Sequence, residues 1–197
     1  MFWLFHKLGL VNNITVPEKF FQLLKKKGHF HECQLSLHPD KCCDGVTATV
    51  LNFDSIKNSF CQELNIARLG SVDALYLSQD KKKLFLIEMK HKNSTKTIQK
   101  WVTNQLSPGE IQKQIIESIF LILGIIGWNK GRKEFYTYFL DNRDVKIDAV
   151  FVCNCSLREL VGLQQMNLSY RTFRYTNVVG NFEWHNCDTI KDFFLRN

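Results

Sequence analysis

The chain predicts an α/β protein in which helices flank a mixed central β-sheet, and three observations carry that expectation. Two β-rich runs, Ser71-Val72-Asp73-Ala74-Leu75-Tyr76-Leu77 and Leu84-Phe85-Leu86-Ile87-Glu88-Met89-Lys90, are separated by Ser78-Gln79-Asp80-Lys81-Lys82-Lys83, which has the composition of a hairpin turn. The stretch 145–152 is nearly continuous in apolar residues, as in a strand buried on both faces. Between such runs the apolar spacing turns helical, as in Ile56, Phe60, Leu64 and Ala67. With 197 residues, 45% of them hydrophobic, the chain can bury one sizeable core. A single domain 1–197 is expected, with its core at about 46–155, a helical addition before it and a strand and helix after it.

The elements follow in order. Residues 1–28 read as two helical pieces split by Asn12-Asn13 and Pro17. The second carries Phe20, Phe21, Leu23 and Leu24 and ends in Lys25-Lys26-Lys27-Gly28, a cationic end and a C-cap. His29, His31, Cys33, His38, Cys42 and Cys43 cluster next, but without a Cys-x-x-Cys knuckle, and Cys153/Cys155 and His185/Cys187 do not complete one. Structural zinc is therefore not expected. The β-branched run 46–51 is a strand leading to a helix over 55–68. After the hairpin, 91–105 is basic and polar, with Lys92, Lys96, Lys100 and Trp101; it is either a nucleic-acid groove or a loop with incidental lysines. Ser107-Pro108-Gly109-Glu110 has the pattern of a capping box and starts a helix running to about 126. Its apolar stretch, 115–128, is interrupted by Glu117 and Ser118 and is too short to span a bilayer. Strands are expected over 135–140 and 146–153, with a short helix or loop after Ser156. Tyr170-Arg171-Thr172-Phe173-Arg174-Tyr175 reads as an outer strand, and Asp188 as the cap of a last helix.

The hairpin carries the chemistry. Side chains alternate along a strand, so Asp73, Leu75 and Leu77 share one face, as do Leu86, Glu88 and Lys90. A turn closing tightly on Asp80-Lys81 sets Asp73 opposite Glu88, roughly 5 Å away, with an ammonium two residues along. Carboxylates so paired destabilise a sheet unless something holds them. A hard divalent ion such as Mg²⁺ does so, taking one or two carboxylates plus water and phosphate oxygens. Lys90 beside it would orient or help deprotonate an attacking water. The alternative is a solvent-facing pair with an ordinary surface lysine.

Asp73, a hairpin, and Glu88-Met89-Lys90 closing an apolar strand together resemble the PD-(D/E)XK nuclease superfamily, over residues 54 to about 118. Val72 stands where many members have proline. The resemblance implies a restriction-endonuclease-like core and an Mg²⁺ site, with Mn²⁺ substituting, made by Asp73, Glu88 and the Met89 carbonyl. It further implies a supporting carboxylate on the preceding helix, a position filled by Glu63, and a glutamine on the following helix, Gln112 or Gln114, with Gln114 preferred as a substrate contact beside Lys92 and Lys96. His38-Pro39-Asp40 resembles the motif of viral cap-snatching RNA endonucleases, an alternative reading. A non-catalytic nucleic-acid-binding module on the same fold is another.

A formal charge of +7 and a pI near 9.0 favour a polyanionic partner. DNA is expected before RNA because most of the superfamily acts on DNA. No membrane partner is expected, and a homodimer is left open. Seven cysteines, an odd number, and an opening that does not read as a secretory signal point to an intracellular setting with most thiols free. No phosphate-cradling glycine loop, nucleophile elbow or internal repeat occurs, which turns the reading away from nucleotide-triphosphate and serine-hydrolase chemistry.

Overall fold

The hairpin strands β3 (Ala74–Leu77) and β4 (Leu84–Lys90) stand at the middle of a six-stranded sheet. Outside β3 come β2 (Thr47–Asn52) and β1 (Glu32–Ser36), antiparallel throughout; beyond β4 come β5 (Ile147–Cys153) and β6 (Val179–Asn186), both parallel. The structure is a computed structural model and describes residues 15–26, 32–36, 47–67, 69–91, 108–128, 133–138, 147–166 and 179–197. Parallel neighbours need crossovers. The connection from β4 to β5 includes α3 (Pro108–Trp128) and the one-turn α4 (Lys133–Tyr136), and that from β5 to β6 includes α5 (Leu157–Met166). Before them lie α1 (Val16–Lys26) and α2 (Phe53–Leu64); α6 (Thr189–Arg196) follows β6.

The period of two in the strands sorts the core into two layers. Leu75, Leu84, Leu86, Ile147, Ala149 and Phe151 face one side, where α1 adds Phe20 and Leu24, α2 adds Ile56 and Phe60, and α3 adds Ile111, Ile115 and Ile122. Ala74, Tyr76, Phe85, Ile87, Val150 and Val152 face the other, covered by Ile190, Phe193 and Phe194 of α6. An eight-residue helix has no stability of its own. Two buried phenylalanines, worth about 1.5–3 kcal/mol each, hold it: Phe193 packs edge-on against Phe85 at 5.0 Å and Phe194 against Tyr76 at 5.1 Å. On the opposite layer α2 and α3 approach closely at Gly124, where a Cβ would come within 3.0 Å of the Phe60 ring.

The mixed sheet, the strand 146–153, the helix from Pro108 and the strand before α2 stand as expected. The helix expected over 55–68 starts two residues earlier, on an Asn52 side chain that accepts the Ser55 N–H at 2.9 Å. It ends at Leu64 because Asn65 adopts a left-handed conformation, φ 51°. The strand expected over 135–140 is helical at Lys133–Tyr136. Phe135 is fully buried edge-on against Phe20 at 5.5 Å, and that packing overrides the β-propensity of the aromatic run. Asp188 does not cap the last helix: its side chain makes no capping bond, and Asn186 Oδ1 accepts the N–H groups of Asp188 and Thr189 at 3.2 and 3.0 Å. β6 has no counterpart in the sequence reading, and residues 170–175 lie outside the described residues, as do the histidine and cysteine side chains of 29–43. Cys61, Cys153 and Cys155 are buried thiols outside any disulfide, with Cys153 Sγ 2.7 Å from Cys155 Sγ, while Cys187 is disulfide-bonded. Among the described residues no helix is long and apolar enough to cross a membrane.

Candidate active site

The turn between β3 and β4 fixes what faces what. Ser78 N–H donates to the Lys83 carbonyl at 3.0 Å, Ser78 Oγ accepts the N–H groups of Lys82 and Lys83, and Lys81 takes a positive φ of 59°. This closure pairs Leu77 with Leu84, Leu75 with Leu86 and Ala74 with Ile87. Continued by one residue, the same register sets Asp73 opposite Glu88, as the sequence predicts.

Asp73 lies just before β3 at a bend. Its Oδ2 accepts the Met89 N–H at 2.6 Å, and its carbonyl accepts the Phe53 N–H at 3.0 Å, tying it to the start of α2. Glu88 is 3% exposed. Lys90 Nζ stands 2.5 Å from its Oε1, while Oε2 is buried with no hydrogen-bond partner among the described residues. Burial first, and then the charge of Asp73, pushes the Glu88 carboxyl up to about 8; Lys90 pulls the other way, and Asp54 adds a smaller push. The expected trio of Asp73, Glu88 and Lys90 is thus brought together.

Asp54, which the sequence reading did not single out, belongs to this group. It sits in the first turn of α2, accepts from Ser71 Oγ at 2.6 Å and pairs with Lys57 Nζ at 2.5 Å. Glu63, expected to support the ion, is exposed. Nine residues separate it from Asp54, about two and a half turns and 13 Å of helix, which sets it on the opposite side of α2 and at its far end. The helix reaches the site by its N-terminus, so the carboxylate that arrives there is the one in the first turn. A cleft of about 390 Å³ at the C-terminal end of α2, lined by Asn58, Cys61, Gln62, Asn65 and Ile66, includes none of the site residues.

Gln114 of α3 lies beside the segment leading into Asp73: its Cγ would be 3.7 Å from a Cβ at Gly70, and its Oε1 is buried without a hydrogen-bond partner. His91, next after Lys90, also has a buried and unpartnered Nδ1. Lys92 and Lys96, the other expected substrate contacts, lie outside the described residues, as does the Gln112 side chain. Among the described residues no group of three or more His, Cys, Asp or Glu side chains is arranged to hold a metal ion. A Mg²⁺ site does not require three, because backbone carbonyls, waters and substrate oxygens complete its shell. Two carboxylates facing each other, one with an orphaned buried oxygen, fit that use. Comparison with protein-family models, with curated proteins and with solved structures returns no match for the chain.

Proposed function

We propose that this protein is a metal-dependent nuclease of the PD-(D/E)XK kind, with a restriction-endonuclease-like core, hydrolysing phosphodiester bonds of nucleic acid and of DNA in preference to RNA. One observation carries the reading: Glu88 is buried opposite a second carboxylate with one oxygen unsatisfied. Each feature costs stability, the burial through lost hydration and the pairing through repulsion. A divalent cation between the two carboxylates removes both costs.

Asp73, Glu88 and the Met89 carbonyl would hold Mg²⁺ or Mn²⁺. Bound there, the ion would supply positive charge that polarises a phosphate oxygen and acidifies a water. Glu88 would hold the ion in its ionised form. Lys90, whose Nζ stands 2.5 Å from Glu88 Oε1, would orient the attacking water and stabilise the charge that develops on the phosphate. Asp54 would support the ion through water, in the part the sequence assigns to Glu63. Gln114 contacts substrate. The net charge of +7 accounts for attraction to the polyanion, and the choice of DNA follows the superfamily resemblance.

The test is incubation with plasmid, linear and single-stranded DNA and with RNA, each with Mg²⁺, Mn²⁺ or EDTA. DNA cleavage that needs the metal is the expected result. Cleavage of RNA alone would turn the reading to the cap-snatching type, and binding without turnover to a non-catalytic module. Neither binding nor cleavage under any condition overturns it.

A further inference from the structure

Helix α3 packs a mainly apolar face against the sheet, and two adjacent polar residues on it, Glu117 and Ser118, bond to the segment that leads into Asp73. Glu117 Oε2 accepts the Gly70 N–H, and a Cβ at that position would lie 2.6 Å from the carboxylate oxygen, so the Glu117 side chain would have to shift to admit one. Ser118 is fully buried, and its Oγ accepts the Val72 N–H at 3.0 Å. The β3–β4 register, continued beyond Ala74 and Ile87, would pair Val72 with Met89. In a regular antiparallel ladder those residues exchange two hydrogen bonds. Here side chains take both donors: Met89 N–H goes to Asp73 Oδ2, and Val72 N–H goes to Ser118 Oγ. The N–H and C=O of one strand residue leave on the same side, so the Met89 carbonyl emerges on the side of the Asp73 carboxylate without the Val72 donor that would otherwise cover it.

We propose that Ser118 is a positioning residue that holds the Val72–Met89 rung open, keeping the Met89 carbonyl available to a divalent ion and Asp73 fixed on the Met89 N–H. This rests on the metal-site reading above and names the residue that keeps the site from closing into ordinary sheet. A buried serine hydroxyl in a helix can satisfy itself on a carbonyl of the preceding turn; this one is aimed across to another element. Without it, the continued register turns the Val72 N–H back to the Met89 carbonyl.

Ser118→Ala and Ser118→Thr test the proposal. Without metal, NMR coupling across the hydrogen bond between Val72 N and the Met89 carbonyl carbon should be absent in the wild type and in Ser118→Thr, and present in Ser118→Ala. Mn²⁺ titration should show affinity weakened about 10–100-fold in Ser118→Ala, the usual effect of losing a partner that orients a ligand, and restored in Ser118→Thr. Cleavage should follow as a raised metal requirement with kcat little changed at saturating Mn²⁺. If Ser118→Ala fails to fold, Ser118→Cys, of similar shape but a poor acceptor, makes the same comparison. The coupling already present in the wild type, or Mn²⁺ bound equally by the wild type and the variant lacking the hydroxyl, overturns the role of Ser118 alone. No Mn²⁺ binding by the wild type overturns the metal site and this role with it.

Discussion

At each end of β4 a lysine reaches a nearly inaccessible carboxylate, yet the two ends are finished differently. At the turn end Lys83 meets Asp148 of β5 at 3.2 Å, and the second Asp148 oxygen accepts the Asn181 N–H at 2.9 Å. At the other end Lys90 meets Glu88 at 2.5 Å, the second oxygen has no hydrogen-bond partner, and Asp73 and Asp54 add like charge. Their exposures, 4% and 3%, are the same for practical purposes, so burial does not separate them. Satisfaction does. A buried carboxylate with both oxygens engaged serves the fold, whereas one left short and repelled is arranged for a group the chain itself does not supply.

The largest expected consequence is catalytic. Glu88→Ala and Lys90→Ala should each lower cleavage by about 10³-fold or more, since both act on charge that develops in the transition state. Folding and DNA binding should be largely kept. Asp148→Ala, at the other end of the same strand, should leave kcat unchanged. Wild-type rates in either purified site variant would dissolve the distinction between the two ends.

Next comes pH. The folded Glu88 carboxyl, raised to about 8, keeps its proton where the unfolded chain has already lost it. Between the ordinary glutamate range and about 8 the unfolded state therefore binds fewer protons. Without metal, stability should fall as pH rises, by up to about 1.4 kcal/mol per unit, and level off above that point. Glu88→Gln should lack this slope and melt higher than the wild type at pH 8 in EDTA. Metal binding near pH 7 should release a proton in the wild type only, visible by calorimetry in two buffers of different ionisation enthalpy. Parallel stability curves for the two proteins would mean that Glu88 is not held protonated by its surroundings.

How much of this could be read from the chain follows from the range of the interactions. The hairpin register was legible because a short turn and a period of two are local, and they alone bring Asp73, Glu88 and Lys90 to one face. Asp54 was not, since it reaches the site through the β2–β3 pairing and the Phe53–Asp73 hydrogen bond, which link residues distant in sequence. Glu63 shows the limit from the other side: the apolar stripe gives the phase of a helix but not which of its ends meets the sheet. Local propensity makes Phe135 a strand residue, and its tertiary contact with Phe20 decides otherwise. Ser118 was visible only as an interruption in an apolar run; its meaning appears once Val72 lies across from it.

The turn end supplies a stability test of its own. Asp148→Ala leaves the Asn181 N–H without its acceptor, while Lys83, half exposed, returns to water. An unsatisfied donor costs on the order of 1–3 kcal/mol, so the melting temperature should drop by roughly 2–4 °C for each kcal/mol in a chain of this size. The drop should be the same with and without metal. A metal-dependent loss would make Asp148 part of the ion's surroundings and erase the contrast.

The smallest effect probes the Asp73–Glu88 pairing directly. Asp73→Asn keeps an oxygen for the Met89 N–H, so the open rung survives, and only the charge is removed. Above about pH 8, where Glu88 is ionised, repulsion between the facing like charges costs about 0.2–1 kcal/mol. In EDTA the variant should therefore be inactive yet melt above the wild type, by up to about 2–4 °C. Adding Mg²⁺ or Mn²⁺ should reverse the order, because only the wild type offers both carboxylates to an ion that binds the folded state alone. Four melting curves decide it: each protein, with and without metal. A variant that melts lower in EDTA, with metal shifting both proteins equally, would mean that Asp73 and Glu88 share no ion and that Glu88 is stabilised by Lys90 much as Asp148 is by Lys83.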